Sequence, residues 1–142
     1  MIQNEPAREI RAVLDRSALQ SYARGHVHVG ELLREIAEEK NMAVAIPAAA
    51  LAEAHAEHLA DQRSSALLGL ILTLPVTAVL DLDHECAVAM AGPLSLTGND
   101  MARAQAVWAA NKHGALLFTT EQDKMRALVP EKNILPLPDQ DA

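Results

Sequence analysis

Short apolar runs recur along the chain, separated by longer stretches in which apolar residues follow helical spacing. The first run, residues 11–14 (RAVL), is followed by Asp15. Runs of this length and composition, bounded by polar residues, predict buried strands. The strands are predicted at 11–14, 42–46, 76–80, 115–118 and 133–135.

The stretches between these runs predict helices. Val29, Leu32, Leu33 and Ile36 follow the i, i+3, i+4, i+7 spacing of one helical face. Similar apolar patterns and end signals mark the other helices. The helices are predicted at 17–24, 28–39, 47–58, 64–74, 83–90, 100–112 and 121–128.

Capping and turn residues limit these elements. Asn99 or Asp100 can cap the helix 100–112, and Gly114 lies just past its end. Residues 92–93 (Gly-Pro) and Gly98 predict loops.

Strands separated by helical segments need crossover connections, which favour parallel pairing. The pattern therefore predicts an α/β fold: a mostly parallel central sheet of four to five strands, covered by helices on both faces in three layers. In such sheets, ligands bind beyond the carboxyl ends of the strands.

The composition fits one domain spanning residues 1–142. Half of the residues are hydrophobic but only 2 % are aromatic, so Ala, Leu and Val fill the core. The scarcity of aromatic residues excludes the domains that stack bases on aromatic side chains, such as the RRM and the OB-fold. The single cysteine, Cys86, excludes an internal disulfide and a Cys-rich zinc site.

The charge is acidic, with 12 basic and 19 acidic residues giving −7. This argues against a passive phosphate-binding surface, although carboxylates that hold divalent cations reverse the local charge. Residues 1–11 contain charges and Pro6 but no apolar segment, so no secretion signal is predicted. The apolar stretch 66–80 is short and contains Pro75, so no membrane span is predicted. A cytoplasmic location is expected.

Four acidic residues are candidates for chemistry at the carboxyl edge of the sheet. Asp15 ends the first strand, Glu53 lies in the helix after the second, Asp100 opens the helix before the fourth, and Glu121 follows that strand. Clustered carboxylates repel one another unless a cation neutralises them. Oxygen ligands suit Mg²⁺ or Mn²⁺.

Each acidic residue also has a structural explanation, which the sequence leaves open. Asp15 and Asp100 can cap helices, and Glu53 can face solvent in its Ala-rich helix. Glu121 and Asp123 can interact with a helix dipole, and Thr120 with Asp123 resembles a capping box.

Four segments together resemble the PIN-domain family, most closely its short VapC-type bacterial toxins. They are VLDRSAL at 13–19, IPAAALAEA at 46–54, NDMARAQAVWAA at 99–110 and ALLFTTEQD at 115–123. They occur in the family's order, and the resemblance covers about residues 11–136.

The resemblance implies a metal-dependent endoribonuclease that hydrolyses RNA with one or two Mg²⁺ or Mn²⁺ ions. By position, it makes Asp15, Glu53 and Asp100 metal ligands and adds Glu121 as a catalytic carboxylate. The expected supporting residues are Ser17, Thr119, Asp123 and Arg16. The resemblance also implies a small antitoxin protein as partner and a homodimer.

Two positions depart from the family pattern. Arg16 stands where a small residue is common, and it could contact phosphate or compete with the metal. Glu121 replaces an Asp, unless Asp123 takes that role. These departures support the alternative of a catalytically impaired PIN-like binding module.

Other signatures give weaker alternatives. Asp81 and Asp83 mimic the Asp-x-Asp of haloacid-dehalogenase phosphatases, but the usual Thr or Gly after the second Asp is missing, and Asp83 can instead cap a helix. His55 and His58 lack the HExxH spacing of zinc proteases.

Overall fold

The computed structural model describes residues 8–138. It contains a five-stranded sheet in which every neighbouring pair is parallel, with strand order β3-β2-β1-β4-β5. The strands are β1 (Glu9–Leu14), β2 (Met42–Pro47), β3 (Thr77–Leu80), β4 (Leu116–Thr119) and β5 (Ile134–Pro136). All five predicted strands are therefore present, and the predicted α/β class is confirmed.

Helices form every connection between consecutive strands, as parallel pairing requires. The helices are α1 (Arg16–Ala23), α2 (His28–Ala37), α3 (Ala48–Glu57), α4 (Gln62–Ile71), α5 (His84–Ala89), α6 (Ala91–Leu96), α7 (Met101–His113) and α8 (Gln122–Met125). A short 3₁₀ helix, Glu131–Asn133, precedes β5.

Successive strand residues face opposite sides of the sheet and enter two separate cores. In β1, Ala12 and Leu14 pack with buried residues of α1, α2, α3 and α4. Val13 packs on the other face with residues of α7 and with Met125. The sheet is therefore the middle of three layers, as predicted.

Helix α7 is buried over most of its surface and is built largely of small residues. It packs against β1 and the sheet on one side and against α3 and α6 on others. Its buried alanines are Ala102, Ala104, Ala106, Ala109 and Ala110. Small side chains allow the helix backbone to approach its neighbours closely.

Most element ends differ from the prediction by one or two residues, and three predictions differ more. Residues 92–93 lie inside α6 instead of in a loop; Pro93 is tolerated because it lies in the first turn, where its missing N–H has no helical acceptor. Helix α8 covers only part of the predicted 121–128. Helix α4 begins at Gln62, before the predicted residue 64, because Asp61 caps it, and it ends at Ile71 instead of residue 74.

The predicted domain of residues 1–142 extends beyond the described residues, since 1–7 and 139–142 lie outside them. Within 8–138, none of the helices combines the length and apolar character needed to cross a membrane.

Candidate functional site

Asp15 follows β1 directly, at the carboxyl edge of the sheet, and caps α1. Its Oδ1 accepts hydrogen bonds from the Ala18 backbone N–H at 2.9 Å and from the Ser17 hydroxyl at 2.6 Å. The residue is only 2 % exposed, and its Oδ2 is buried without a hydrogen-bond partner. Capping therefore accounts for one carboxylate oxygen and leaves the other free.

The Ser17 hydroxyl connects Asp15 to the end of β4. It lies 3.2 Å from Thr119 Oγ1 and accepts a hydrogen bond from the Thr120 N–H at 2.9 Å. Thr119 Oγ1 in turn accepts from the Glu121 N–H at 2.9 Å. Ser17 and Thr119, both predicted as supporting residues, thus fix the loop after β4 beside Asp15.

Burial raises the pKa of Asp15 above its ordinary value of 3.8, because desolvation disfavours the carboxylate. Hydrogen bonds from Ser17, Thr119 and Ala18 partly oppose this effect, and the negative charge of Glu121 adds to it. A positive charge close to Asp15 would therefore favour its ionised form.

Glu53 does not extend freely into solvent, because Arg16 binds it. Arg16 Nη1 donates to Glu53 Oε1 at 2.6 Å, and its Nη2 lies 4.0 Å from Glu121 Oε1. The Glu53 hydrogen bond is the main cause that raises the pKa of Arg16, with charges of Asp100, Glu53 and Glu121 contributing. The guanidinium thus lies among three of the predicted carboxylates.

Asp100 is placed by a tight loop and caps α7. Gly98 and Asn99 both have left-handed φ angles, 64° and 65°, and lead the chain from α6 into the cap. Asp100 Oδ1 accepts from the Arg103 backbone N–H at 3.0 Å, and Oδ2 lies 3.3 Å from Arg103 Nη1. Asp100 is therefore both a helix cap and part of an ion pair.

Glu121 lies close to several positively charged side chains. Its Oε1 is 3.2 Å from Arg103 Nη2, and its Oε2 is 3.3 Å from Lys124 Nζ. Burial raises the pKa of Glu121, but the hydrogen bonds and charges of Lys124 and Arg103 together outweigh it, and the net direction is downward. Glu121 therefore remains ionised at neutral pH.

The four predicted carboxylates therefore share one region, in which Arg16 and Arg103 bridge Glu53, Asp100 and Glu121 next to buried Asp15. We call this region the carboxylate hollow. The donors suit Mg²⁺ or Mn²⁺ in kind, since all are oxygens and Asp15 Oδ2 lacks a partner. As the side chains stand, however, residues 8–138 contain no group of three His, Cys, Asp or Glu arranged to hold a metal. The guanidiniums occupy oxygens that a cation would need.

Two other predicted positions lie elsewhere. The Asp123 side chain is 81 % exposed and pairs with Arg126 at 2.6 Å, so the structure does not bring it to the carboxylate hollow. Asp83 caps α5 through the Cys86 N–H at 2.9 Å, which is the structural explanation given above for the Asp-x-Asp motif.

Gln105 connects two helices near the site, although the sequence pattern does not predict this contact. It is fully buried on α7, its Oε1 accepts from the Ala49 N–H at 2.9 Å, and its Nε2 donates to the carbonyl oxygens of Leu80 at 3.2 Å and Asp81 at 3.4 Å. It thus joins the helix carrying Glu53 to the helix carrying Asp100. The signal for this role in the sequence is that Gln105 is a polar residue within an otherwise apolar, alanine-rich helical face.

Comparison of sequences gives no match to a protein-family model or to a curated protein. Comparison of structures gives several. VapBC of Salmonella typhimurium, solved bound to DNA, matches with a TM-score of 0.65 at 15 % identity, over 89 % of this chain and 98 % of that one. VapBC2 of Rickettsia felis, bound to a promoter DNA fragment, gives 0.61 at 20 % identity over 89 % and 98 %. VapC20 of Mycobacterium tuberculosis, a toxin that cleaves the sarcin-ricin loop, gives 0.60 at 16 % identity over 84 % and 97 %. The chain therefore has the PIN-like fold of these proteins.

Proposed function

We propose that this chain is a Mg²⁺- or Mn²⁺-dependent endoribonuclease of the VapC toxin type. The observation that supports this best is the carboxylate hollow. Asp15, Glu53, Asp100 and Glu121 come from widely separated parts of the sequence and share one region at the carboxyl edge of a PIN-like sheet. The structural neighbours that are toxins make RNA the favoured substrate.

In this proposal, Asp15, Asp100 and Glu53 hold the cation. The Ser17 hydroxyl and the Ala18 N–H occupy Asp15 Oδ1, and Thr119 contacts that Ser17 hydroxyl, so the unpartnered Oδ2 would be the ligand atom of Asp15. A bound Mg²⁺ or Mn²⁺ supplies the charge that polarises a phosphodiester and activates water.

Glu121 has a different role in the proposal. It stays ionised and holds Arg103, which in turn holds Asp100 at the opening of α7. Glu121, which follows β4, therefore fixes the position of Asp100 through Arg103.

We further propose a small antitoxin protein as partner, a homodimer, and a cytoplasmic location. The neighbours solved as toxin–antitoxin complexes support the partner. The net charge of −7 adds a physical reason, because a basic antitoxin segment would be attracted to the carboxylate hollow. Co-purification with a protein encoded beside this chain, and the molar mass from light scattering, test the partner and the dimer.

Cleavage of RNA by the purified chain tests the activity. Labelled RNA is incubated with Mg²⁺, with Mn²⁺ and with EDTA, using the wild type and Asp15→Asn. We expect cleavage with either metal, none in EDTA, and a loss of at least about 100-fold in Asp15→Asn. Glu39→Gln is the matched control, because Glu39 is a half-exposed carboxylate paired with Arg11 near the opposite edge of the sheet.

The second candidate, a PIN-like binding module without nuclease activity, is favoured by one observation. Arg16 and Arg103 already neutralise carboxylates that a metal would need. If the wild type and Asp15→Asn leave RNA equally intact and neither binds Mn²⁺, the nuclease proposal is wrong and the binding module stands.

A further inference from the structure

The guanidinium of Arg16 lies between two members of the carboxylate hollow, Glu53 and Glu121. It donates to Glu53 at 2.6 Å and lies 4.0 Å from Glu121. Its side chain is 28 % exposed, so it has access to water from this position. By contrast, the Arg103 side chain is 16 % exposed and bridges Asp100 and Glu121. Of the two arginines, Arg16 is therefore the more exposed and is held by fewer ion pairs at short distance.

Arg16 and a divalent cation compete for the same carboxylate. An oxygen of Glu53 that accepts a short hydrogen bond from a guanidinium is not available as a metal ligand. Two positive groups in one small region also repel each other. The neighbouring carboxylates raise the pKa of Arg16, so it does not give way by losing its proton. It can only move.

We propose that Arg16 is an internal counter-ion of the carboxylate hollow: it binds Glu53 in the metal-free protein and must release Glu53 when a divalent cation binds. This inference rests on the proposed function for one point, that Glu53 is a metal ligand. Arg16 thereby sets the metal concentration at which the site fills. The protein alternates between a guanidinium-filled and a metal-filled state.

The two states explain the side-chain arrangement described above. A site of several carboxylates without a cation would be destabilised by repulsion. Arg16 and Arg103 reduce that repulsion and hold Glu53, Asp100 and Glu121 together through ion pairs. The cost is a weaker apparent metal affinity, because binding must displace a partner that is already present.

Titration with Mn²⁺, followed by the electron paramagnetic resonance signal of the free ion, measures this effect without RNA. The variants are Arg16→Gln, Glu53→Gln and the double variant. We expect Arg16→Gln to tighten Mn²⁺ binding by about tenfold or more, because one nearby positive charge and one competitor are removed. In the Glu53→Gln background, Arg16→Gln should change the Mn²⁺ affinity by no more than about threefold.

Arg11→Gln is the matched control for net charge. Arg11 also pairs with a glutamate, Glu39, but lies four residues before Asp15 on β1, about 13 Å away by strand geometry and beyond the screening length of about 8 Å. Its substitution should change Mn²⁺ affinity by less than about twofold. Arg16→Lys, which keeps the charge but loses the planar fork, should lie between the wild type and Arg16→Gln.

The outcomes separate this inference from the proposed function. If the wild type binds Mn²⁺ and Arg16→Gln binds no more tightly than Arg11→Gln, the inference is overturned and the metal site stands. An equal effect of Arg16→Gln with and without Glu53 also overturns it, since long-range charge would then suffice. If no variant binds Mn²⁺, both are wrong. Should Arg16→Gln fail to fold, Arg16→Lys decides by the same comparison.

Discussion

Asp15 combines two local roles that place opposite demands on one side chain. As the cap of α1 it needs only Oδ1, which Ser17 and Ala18 satisfy. As a proposed metal ligand it must be ionised, although burial raises its pKa. Such a conflict between stability and charge is typical of functional carboxylates.

The conflict at Asp15 predicts a pH-dependent difference in stability. Because folding raises this pKa above 3.8, the contribution of Asp15 is full below that pH and is lost as pH rises through the folded-state value. Asp15→Asn removes this titration. In EDTA, the unfolding free energy of the variant minus that of the wild type should therefore increase as the pH rises above about 4. The increase amounts to about 1.4 kcal/mol for each pH unit in which only the folded carboxyl is protonated.

Urea unfolding at several pH values measures this difference. Glu39→Gln, at an exposed carboxylate outside the carboxylate hollow, serves as the comparison. A difference for Asp15→Asn that stays flat or falls with pH would contradict a raised pKa.

Ser17 is predicted to stabilise the fold through its hydroxyl. Ser17→Ala removes a donor to Asp15 and the acceptor for the Thr120 N–H, and it should lower the unfolding free energy by about 1–3 kcal/mol. Ser21→Ala on the same helix is the control. The Ser21 hydroxyl is buried without a hydrogen-bond partner, so its removal should be neutral or stabilising. Equal losses in both variants would mean that side-chain volume matters and the hydroxyl does not.

The sequence predicts the positions of the site carboxylates, but it does not predict the residues with which they pair. Asp15 and Asp100 are recognisable because they stand at the ends of elements. The partners of Glu53 and Asp100, by contrast, are arginines whose long side chains can turn in several directions. Nothing in the local pattern states that Arg16 reaches Glu53 or that Arg103 reaches Glu121, since these pairings depend on tertiary packing.

At the scale of elements, hydrophobic periodicity predicts the long helices and the buried strands well. All five strands lie close to their predicted positions because each is an apolar run inside an acidic chain. Helix α6 is missed because six residues are too few to display periodicity, and its Gly and Pro resemble a loop. The early start of α4 follows from a local cap, Asp61, whose bonds to Arg63 and Ser64 are decided by backbone geometry.

Gln105 is predicted to hold elements α3 and α7 together. Gln105→Leu leaves the Ala49 N–H without this acceptor and removes the donor to Leu80, so the unfolding free energy should fall by about 2 kcal/mol. Because α3 carries Glu53, Mn²⁺ affinity should fall as well. Urea unfolding and the Mn²⁺ titration measure the two effects.

Asn111→Ala is the control for this helix. Asn111 also lies on α7 and donates to a backbone oxygen, that of Leu128, but it is exposed, so its loss should cost less than about 0.5 kcal/mol. A Gln105→Leu protein as stable as Asn111→Ala would show that the buried connection is dispensable.

At the scale of the whole molecule, the parallel topology is what unites distant carboxylates. Every strand ends at the same edge, so residues that follow β1, β2 and β4 meet although the sequence separates them widely. The sequence can predict this edge from the order of strands and helices. The sequence cannot predict the distances between the carboxylates, because these depend on how closely α7 and α3 approach the sheet.

The net charge predicts how strongly the protein binds RNA when no divalent metal is present. At −7 it should be repelled by phosphate, so in EDTA lower salt should not strengthen RNA binding. Fluorescence anisotropy of labelled RNA at about 50 mM and about 150 mM KCl measures this, with polylysine as a basic control that binds more tightly at low salt. Tighter binding of this chain at low salt would reveal a basic surface that dominates over the net charge.

The alanines of α7 have a consequence for mutagenesis of this molecule. Alanine scanning would pass over most of the buried face of this helix, because those positions are already alanine. The informative change is enlargement: Ala106 and Ala109 are fully buried, so a valine or leucine there should overpack the core and push the helix outward. These alanines thus set the separation between α7 and the sheet, and enlarging one of them would alter the distance between Asp100 and the sheet.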